Sequence, residues 1–314
     1  MQSYDAVLPF YKQGGDLMTR KKNWQFHVML LPGLILTLIF SYIPMVGIII
    51  AFQKFIPARG LFGKQQFVGW GNFQYMLSMP NIFQVLRNTI VIAGGKIIFG
   101  LLIPIIVSLL LNEVRNRKFK RSVQTMIYFP YFLSWVVFAG ILIDILSQKS
   151  GIVNDFLQLL GFKRYFFLGN SSLFQGTMIV TDVWKNFGFG TVIYLAAITG
   201  IDPTYYEAAA IDGAGRWKQT IHITLPCMRM IIVLMMVLSL GDVLNAGFDQ
   251  IFNLYSKTVY STGDIIDTLV YRTGLIDAQY GPATAVGLFK SVVSLILISV
   301  SYLTAYKAFD YRIF

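Results

Sequence analysis

Cysteine, histidine and acidic residues are scarce in this 314-residue chain, which holds one Cys, two His and 15 Asp plus Glu. The lone cysteine, Cys227, can close no bridge within the chain, which excludes a disulfide framework and a cysteine-built metal site. Its expected place is that of a small buried hydrophobe at a helix start. His27 and His222 have no cluster of further ligands around them in the sequence and are expected at the surface. A GxxxxGK[ST] phosphate loop is missing, as is any hydrophilic domain large enough to hold a nucleotide site, so ATP has to bind another polypeptide. No catalytic Ser/His/Asp spacing, internal repeat or low-complexity tract is found either. Charged residues make up only 13% of the chain against 55% apolar ones, with mean hydropathy +0.61, a balance too greasy for a soluble domain of this length.

What is present is a series of long apolar runs. A spanning helix needs about 20 mostly apolar residues to cross a hydrocarbon core roughly 30 Å thick. Six runs meet that need, near 27–53, 88–112, 122–147, 174–200, 227–246 and 284–306. None shows the ten-residue alternation of barrel strands, so the expected fold class is all-α, a polytopic membrane protein with about six transmembrane helices. The first run follows Arg20, Lys21 and Lys22, is too long for a signal-peptide core and lacks a small-residue cleavage site, so it is expected to remain as a span. Residues 1–26 form a tail and residues 27–314 one membrane domain. Pro32, Pro44, Pro104 and Pro130 inside the runs are expected to kink helices, and Gly94, Gly95 and Gly100 to let a neighbour approach closely.

The net charge of +11 is distributed by side. Arg20, Lys21 and Lys22 precede the first run, and Arg115, Arg117, Lys118, Lys120 and Arg121 crowd the short link between the second and third. Arg216 and Lys218 sit in the link between the fourth and fifth. The longer connections at 54–87, 148–173 and 247–283 are more dilute in cations, which by the positive-inside rule puts them outside and both termini in the cytoplasm. Basic residues beside spans, with no aromatic-studded soluble module, exclude nucleic acid as the partner. On the outside, Ile152, Val153, Phe156, Leu157 and Leu160 fall at helical spacing between Gly151 and Gly161, an amphipathic helix expected at the membrane interface. Next to it KRYFFLGN reads as part of an aromatic belt.

Between the fourth and fifth runs lies EAAAIDGAGRWKQTIHITLP, residues 207–226. Asp202 as cap with Pro203 at the first helical position, or Thr204 with Glu207 as a capping box, would start a helix here. Gly213 and Gly215 would end it just past Asp212, and a second helix would run from Arg216 to Pro226. The expected product is a helix-turn-helix elbow with a flat face at Ala208, Ala209 and Ala210 and charges around its rim. By periodicity alone it could equally be a plain amphipathic connector.

The spacing of this segment resembles the EAA signature of permease subunits in binding-protein-dependent ABC importers: EAA at 207–209, three residues, Gly213, nine residues, Ile223, one residue, Leu225 and Pro226. No position departs from it. LRNTIVIA, YFPYFLSWVVFAGIL, GIVNDFLQLLG and WKNFGFGTVIYLAAITGIDPTYYEAAAIDGA extend the resemblance over nearly all of the chain beyond the tail, and look like the polysaccharide and oligosaccharide branch, in particular importers of acidic, alginate-like polymers. The resemblance implies a type I ABC importer permease in the bacterial cytoplasmic membrane. Its implied partners are two ATP-binding subunits, which bind ATP and magnesium where this chain has no cofactor, a second similar permease, a periplasmic or extracellular solute-binding protein, the oligosaccharide and membrane lipid. It also implies that Glu207, Ala208, Ala209, Asp212 and Gly213 contact the ATPase. An ion-coupled secondary transporter is the alternative function; it would need inverted repeats, which are missing.

Lys96, Asp144, Asp182, Lys185, Asp242 and Lys290 fall within or at the edges of the runs, where charge is costly and is either paired or set around a polar cavity. With a rise of about 1.5 Å per residue, Lys96 and Asp182 both lie roughly 12 Å below the outer ends of their runs. Two arrangements remain open: mutual neutralisation, or a wet outer cavity where Lys96, Lys185 and Lys290, with Trp184 and Phe187 nearby, meet the carboxylates and ring faces of an acidic sugar.

Overall fold

The structure, a computed structural model, describes residues 19–309, so most of the expected tail lies outside the described residues. Helix α1 (Thr19–Thr37) continues without a break through a wider turn at Leu38–Tyr42 and a tighter one at Ile43–Phe52. A two-stranded hairpin, β1 (Gln53–Lys54) and β2 (Gln66–Phe67), and α2 (Gly71–Ser78) lead into α3 (Ile82–Glu113). There follow α4 (Arg117–Tyr128), α5 (Trp135–Ile145), α6 (Ile152–Leu159) and the long α7 (Ser171–Thr199). The elbow helices are α8 (Pro203–Ile211) and α9 (Arg216–Gln219), the latter running into α10 (Leu225–Gly241). Short helices α11 (Phe248–Leu254), α12 (Tyr260–Gly263) and α13 (Ile266–Tyr271) fill the next connection, and α14 (Tyr280–Phe309) closes the chain.

Among the described residues, four helices are long and apolar enough to cross a membrane by themselves: Trp24–Phe52, Ile82–Glu113, Arg216–Gly241 and Tyr280–Thr304. The third expected run is not one rod. Arg117–Phe132 and Trp135–Ile145 meet at 110°, because Pro130 lacks an amide hydrogen and Ser134, accepting from the Val137 amide, caps a fresh helix. The fifth helix stops at Gly241 rather than 246, with Asp242 at its C-terminal cap. Its other end begins earlier than expected: the helix from Arg216 passes Pro226 through a widened turn at Thr220–Thr224, so the elbow and the fifth span are one piece.

At 29 residues α7 is about 43 Å long, enough to cross, yet it is less apolar than the four. Its polar residues explain this, for Thr177, Thr181, Lys185 and Thr191 recur at helical spacing and are all buried against neighbouring helices. The threonine hydroxyls donate back to carbonyls one turn earlier, as Thr181 does to Thr177 at 2.7 Å. A helix enclosed by protein need not present apolar groups to lipid all round. Close packing against α3 and α4 depends on glycines: a Cβ on Gly95 would come within 2.3 Å of Ile179, and one on Gly188 within 2.1 Å of the Ile127 carbonyl. Gly94 and Gly100, expected to play the same part, face open space, because successive residues turn about 100° around the helix and only Gly95 points at α7.

Ile92, Phe138, Leu142, Phe174, Met178 and Ile251 form one core, where α3, α5, α7 and α11 meet. Nearer the elbow, Tyr194, Ile198 and Met228 join α7 to α10. Polar ties hold the 242–280 connection down on the helices: Asn88 donates to the carbonyls of Ser261 and Asp264, each at 3.1 Å, and the Ile266 amide donates to Thr89. Asp264 and Arg272 pair at 2.6 Å, and that hydrogen bond raises the guanidinium pKa further. Tyr255 beside them is pushed up to about 12 by burial and by its neighbour Tyr260. Helix α6 leaves Ile152, Phe156 and Leu159 exposed while Asn154 is buried, its amide donating to the carbonyls of Ser147 and Tyr165.

Candidate coupling elbow and membrane charges

The elbow begins at Asp202, whose carboxylate accepts from the Thr204 amide at 2.9 Å, with Pro203 opening α8. Of the two caps the sequence allowed, this one forms. Hydrogen bonds from Thr204, its backbone amide foremost, hold the Asp202 carboxyl below its usual range. A depressed carboxyl pKa means that the cap is fully present at neutral pH and is lost as pH falls through the folded value.

Helix α8 ends in a Schellman turn. The Gly213 amide donates to Ala210 at 3.1 Å and the Ala214 amide to Ala209 at 2.8 Å, a pattern that requires the left-handed backbone of Gly213, φ +76°. Two further ties brace the elbow internally and a third joins it to the body. Tyr206 and the buried Thr224 share a hydroxyl hydrogen bond of 2.9 Å, Gln219 donates to the Ala214 carbonyl, and Arg216 pairs with Glu113 at the end of α3, 2.7 Å away. The Arg216–Glu113 pair is about half exposed on both sides, so its own contribution is roughly 1 kcal/mol or less.

Glu207, Ala208, Asp212 and Gly213 are exposed along this elbow, and Glu207 has no polar partner among the described residues. Ala209 is half-buried and lines a recess of about 360 Å³ with Ala214, Lys218, Gln219, His222 and Ile223. His222 is exposed, as expected, with Nδ1 3.0 Å from the Lys218 carbonyl; His27 is exposed as well. Sequence reasoning passed over two of the most prominent groups here: Ile211 is 88% exposed and Trp217 75%. Their signal was available, because large apolar residues in a polar, glycine-punctuated link have no core to join. Cys227 contradicts its expected burial. It is exposed at the start of α10, since the inward direction there belongs to Met228, one residue and about 100° further round.

The membrane charges divide into separate partnerships. Lys96 reaches from α3 to Asp182 on α7 at 3.2 Å, to the Ala246 carbonyl at 2.6 Å, and to the Gln250 side chain. Gln250 in turn donates to the Met178 carbonyl and to Thr181. Lys185 is buried under the rings of Tyr131 and Trp135 and donates to the Tyr131 carbonyl at 3.0 Å. Lys290 on α14 pairs with Asp267 on α13 at 2.6 Å. Asp144 and Asp242 are exposed. The three lysines therefore do not converge on one cavity, because they project from three helices into three different packing environments. Trp184 packs its ring on Phe138, 5.3 Å between centres, and Phe187 is half-buried.

Of the membrane charges singled out, Lys290 borders a large groove. A space of about 1240 Å³ opens between the first helix, α13 and α14, with Asn245, Asp267, Tyr271, Tyr280, Lys290 and Ser291 among its walls. A second space of about 400 Å³ shares Asn245, Lys290 and Ser291 with it and adds Asp242 and Ser294. One oxygen of Asp267, Oδ2, is buried without a hydrogen-bond partner, although Oδ1 is held by Lys290. Asp267 escaped sequence reasoning because it lies in a connection, outside every apolar run.

Residues 100–314 match the family of binding-protein-dependent transport system inner membrane components. Among curated relatives, the polygalacturonan/rhamnogalacturonan transport system permease protein YteP of Bacillus subtilis (strain 168) is 41% identical over 281 residues, covering 90% of this chain and 87% of the relative. Among solved structures, a bacterial ABC transporter involved in the import of the acidic polysaccharide alginate contains a chain with TM-score 0.83 and 37% identity, over 91% of this chain and 96% of that one. A bacterial alginate ABC transporter in complex with an alginate pentasaccharide-bound periplasmic protein matches equally, with TM-score 0.83 and 37% identity over 92% and 96% of the two chains.

Proposed function

The chain belongs to the binding-protein-dependent transport system inner membrane components and is the permease of an ABC importer, and from that premise we propose that it forms half of the path for an acidic oligosaccharide. The observation that carries the substrate class is the joint presence of Lys290 on the wall of the groove between the first helix, α13 and α14 and of uronate polymers in the names of two similar transporters. A uronate carboxylate could exchange with Asp267 for the Lys290 ammonium, and the aromatic rings of Tyr271 and Tyr280 suit the apolar faces of pyranose rings. Lys96 and Lys185 play a different part in this reading: held by their own partners, they fix α3 and α7 in position and do not touch sugar.

A second, similar permease supplies the other half of the path, and the solute-binding protein delivers sugar from outside. Two separate ATP-binding subunits hold ATP and magnesium and grip the elbow through Glu207, Ala208, Ala209, Asp212 and Gly213, to which Ile211 and Trp217 add apolar anchors. Both termini face the cytoplasm, in line with the basic clusters beside the spans.

Coupling is then mechanical. Closure of the ATPase dimer moves the elbow as a rigid body, and α9–α10, one helix of 26 residues and about 39 Å, carries the motion from Trp217 to Asp242 on the wall of the smaller space beside the groove. Helix α7 moves with α8 at the other side of the elbow.

Two measurements test this. Replacing Lys290 by methionine should lower uptake of acidic oligosaccharides by about tenfold, the loss of one charge-assisted contact of about 1.4 kcal/mol, while neutral oligosaccharides of equal length are little affected. Equal losses for both sugars would remove Lys290 from recognition. In a separate assay, Ile211→Ala with Trp217→Ala should reduce co-purification of the ATP-binding subunits by tenfold or more, on the order of the effect of removing two exposed anchors. Undiminished co-purification would take both residues out of the contact.

A further inference from the structure

We propose that the hairpin loop at residues 53–67 is a preformed docking hook for the solute-binding protein, with Phe62 as its anchor. The inference rests on the reading above, in which this connection faces outward and a solute-binding protein delivers the sugar.

The loop holds its shape with its own side chains. Gln65 accepts from the Ile56 amide at 3.0 Å and donates to the carbonyls of Ile56 and Gly60 at 3.0 and 2.9 Å, and Arg59 donates to the Lys64 carbonyl at 3.1 Å. Gly63 is packed so tightly that a Cβ there would sit 1.9 Å from the Arg59 carbonyl oxygen. The base is anchored to the body: Asn72 donates to the carbonyls of Ala51 and Gln53, the Val68 amide donates to Phe52, and Phe55 packs edge-on against Tyr280. Yet the aromatic at the tip stands clear of the described residues. Phe62 is 90% exposed, more than any other large apolar side chain among the described residues, and Phe67 is 70% exposed. Ordering a loop loses conformational entropy, and here no buried apolar contact at the tip offsets it. A rigid, solvent-facing aromatic on a fixed base has the form of an interface anchor, where preorganisation lowers the entropy lost on binding.

Charge identifies the partner's chemistry. Lys54, Arg59 and Lys64 are exposed on the loop, and between residues 17 and 112 the sequence contains no Asp or Glu at all. The three cations have no acidic partner among the described residues. The matching surface is an apolar recess rimmed with carboxylates on a folded protein. Electrostatic complementarity of this kind speeds encounter and orients the partner, and it weakens as salt rises.

The test uses the complete transporter reconstituted in nanodiscs and the sugar-loaded solute-binding protein that stimulates its ATP hydrolysis. Phe62→Ala, and separately Lys54→Glu with Lys64→Glu, should each raise the concentration of that protein needed for half-maximal stimulation at least tenfold. Unstimulated hydrolysis should stay unchanged, and Phe62→Tyr should behave like the unaltered chain. The charge-reversed variant should also lose most of the salt dependence of stimulation. Unchanged half-maximal concentrations in both variants would overturn the hook alone. So would quenching of a Phe62→Trp fluorophore by brominated lipid, which would assign the tip to the bilayer. If no solute-binding protein stimulates even the unaltered transporter, the reading of function falls and this inference falls with it.

Discussion

Replacing Gly213 by proline is expected to reduce sugar uptake about a hundredfold while the protein still inserts in the membrane. Gly213 has φ +76° and donates its amide hydrogen to Ala210. Proline fixes φ near −65° and has no amide hydrogen, so the Schellman turn cannot form around it. For an ordinary L-residue the left-handed backbone costs about 1–2 kcal/mol, and the lost hydrogen bond adds about 1 kcal/mol. Together that is about 2–3 kcal/mol, or a factor of roughly 30 to 140 at 1.4 kcal/mol per tenfold. Gly213→Ala keeps the donor but still bears the left-handed backbone cost, so its loss should be nearer tenfold. Glu207→Arg leaves the turn intact but reverses an exposed, unpaired charge on the face proposed to meet the ATPase, and should uncouple by a different route. The measurement is uptake and ATP hydrolysis in the same proteoliposomes, with insertion checked by membrane fractionation. Normal sugar-stimulated hydrolysis and uptake in both Gly213→Pro and Glu207→Arg would mean that the elbow transmits nothing.

The second large effect concerns Lys96. Substituting methionine leaves Asp182 with its nearest cation gone and removes the donor to the Ala246 carbonyl and Gln250, in a site where the Lys96 side chain is 9% exposed. Breaking a buried pair from one side costs about 3–5 kcal/mol. The thermal midpoint of the purified protein should fall by on the order of 10 °C. Removing both charges, Lys96→Met with Asp182→Leu, should recover a good part of that loss, because two apolar side chains leave no stranded charge. Lys290→Met should lower the midpoint less, since Lys290 holds Asp267 alone where Lys96 also holds the Ala246 carbonyl and Gln250. Loss of acidic-sugar uptake in Lys96→Met at an unchanged midpoint, with no recovery in the double variant, would instead put Lys96 on the sugar path.

Much of the frame was legible because it is written in local patterns. The runs at 27–53, 88–112 and 284–306 overlap helices Trp24–Phe52, Ile82–Glu113 and Tyr280–Thr304, since uninterrupted apolar composition over 20 or more residues leaves a chain few other stable states in lipid. The Asp202 cap and the Gly213 turn were legible for the same reason, being interactions between residues two to five apart. Pro130 was noted as a source of kinks, but hydropathy averages over direction, so the 110° turn after it left no trace in an apolar run.

The equal depth of Lys96 and Asp182 followed from counting residues at 1.5 Å each; their pairing did not, nor did the participation of Ala246 and Gln250, some 150 residues further along the chain. By itself, then, the sequence determined that this chain lives in a membrane as helices, and where its elbow turns, because those outcomes depend on composition and on contacts within one or two helical turns. Which lysine meets which carboxylate, which of them borders the groove, and that the elbow's second helix and the fifth span form one continuous helix were decided only when the helices packed. Rotation of each helix about its axis is set by all its neighbours at once, and no local pattern encodes it.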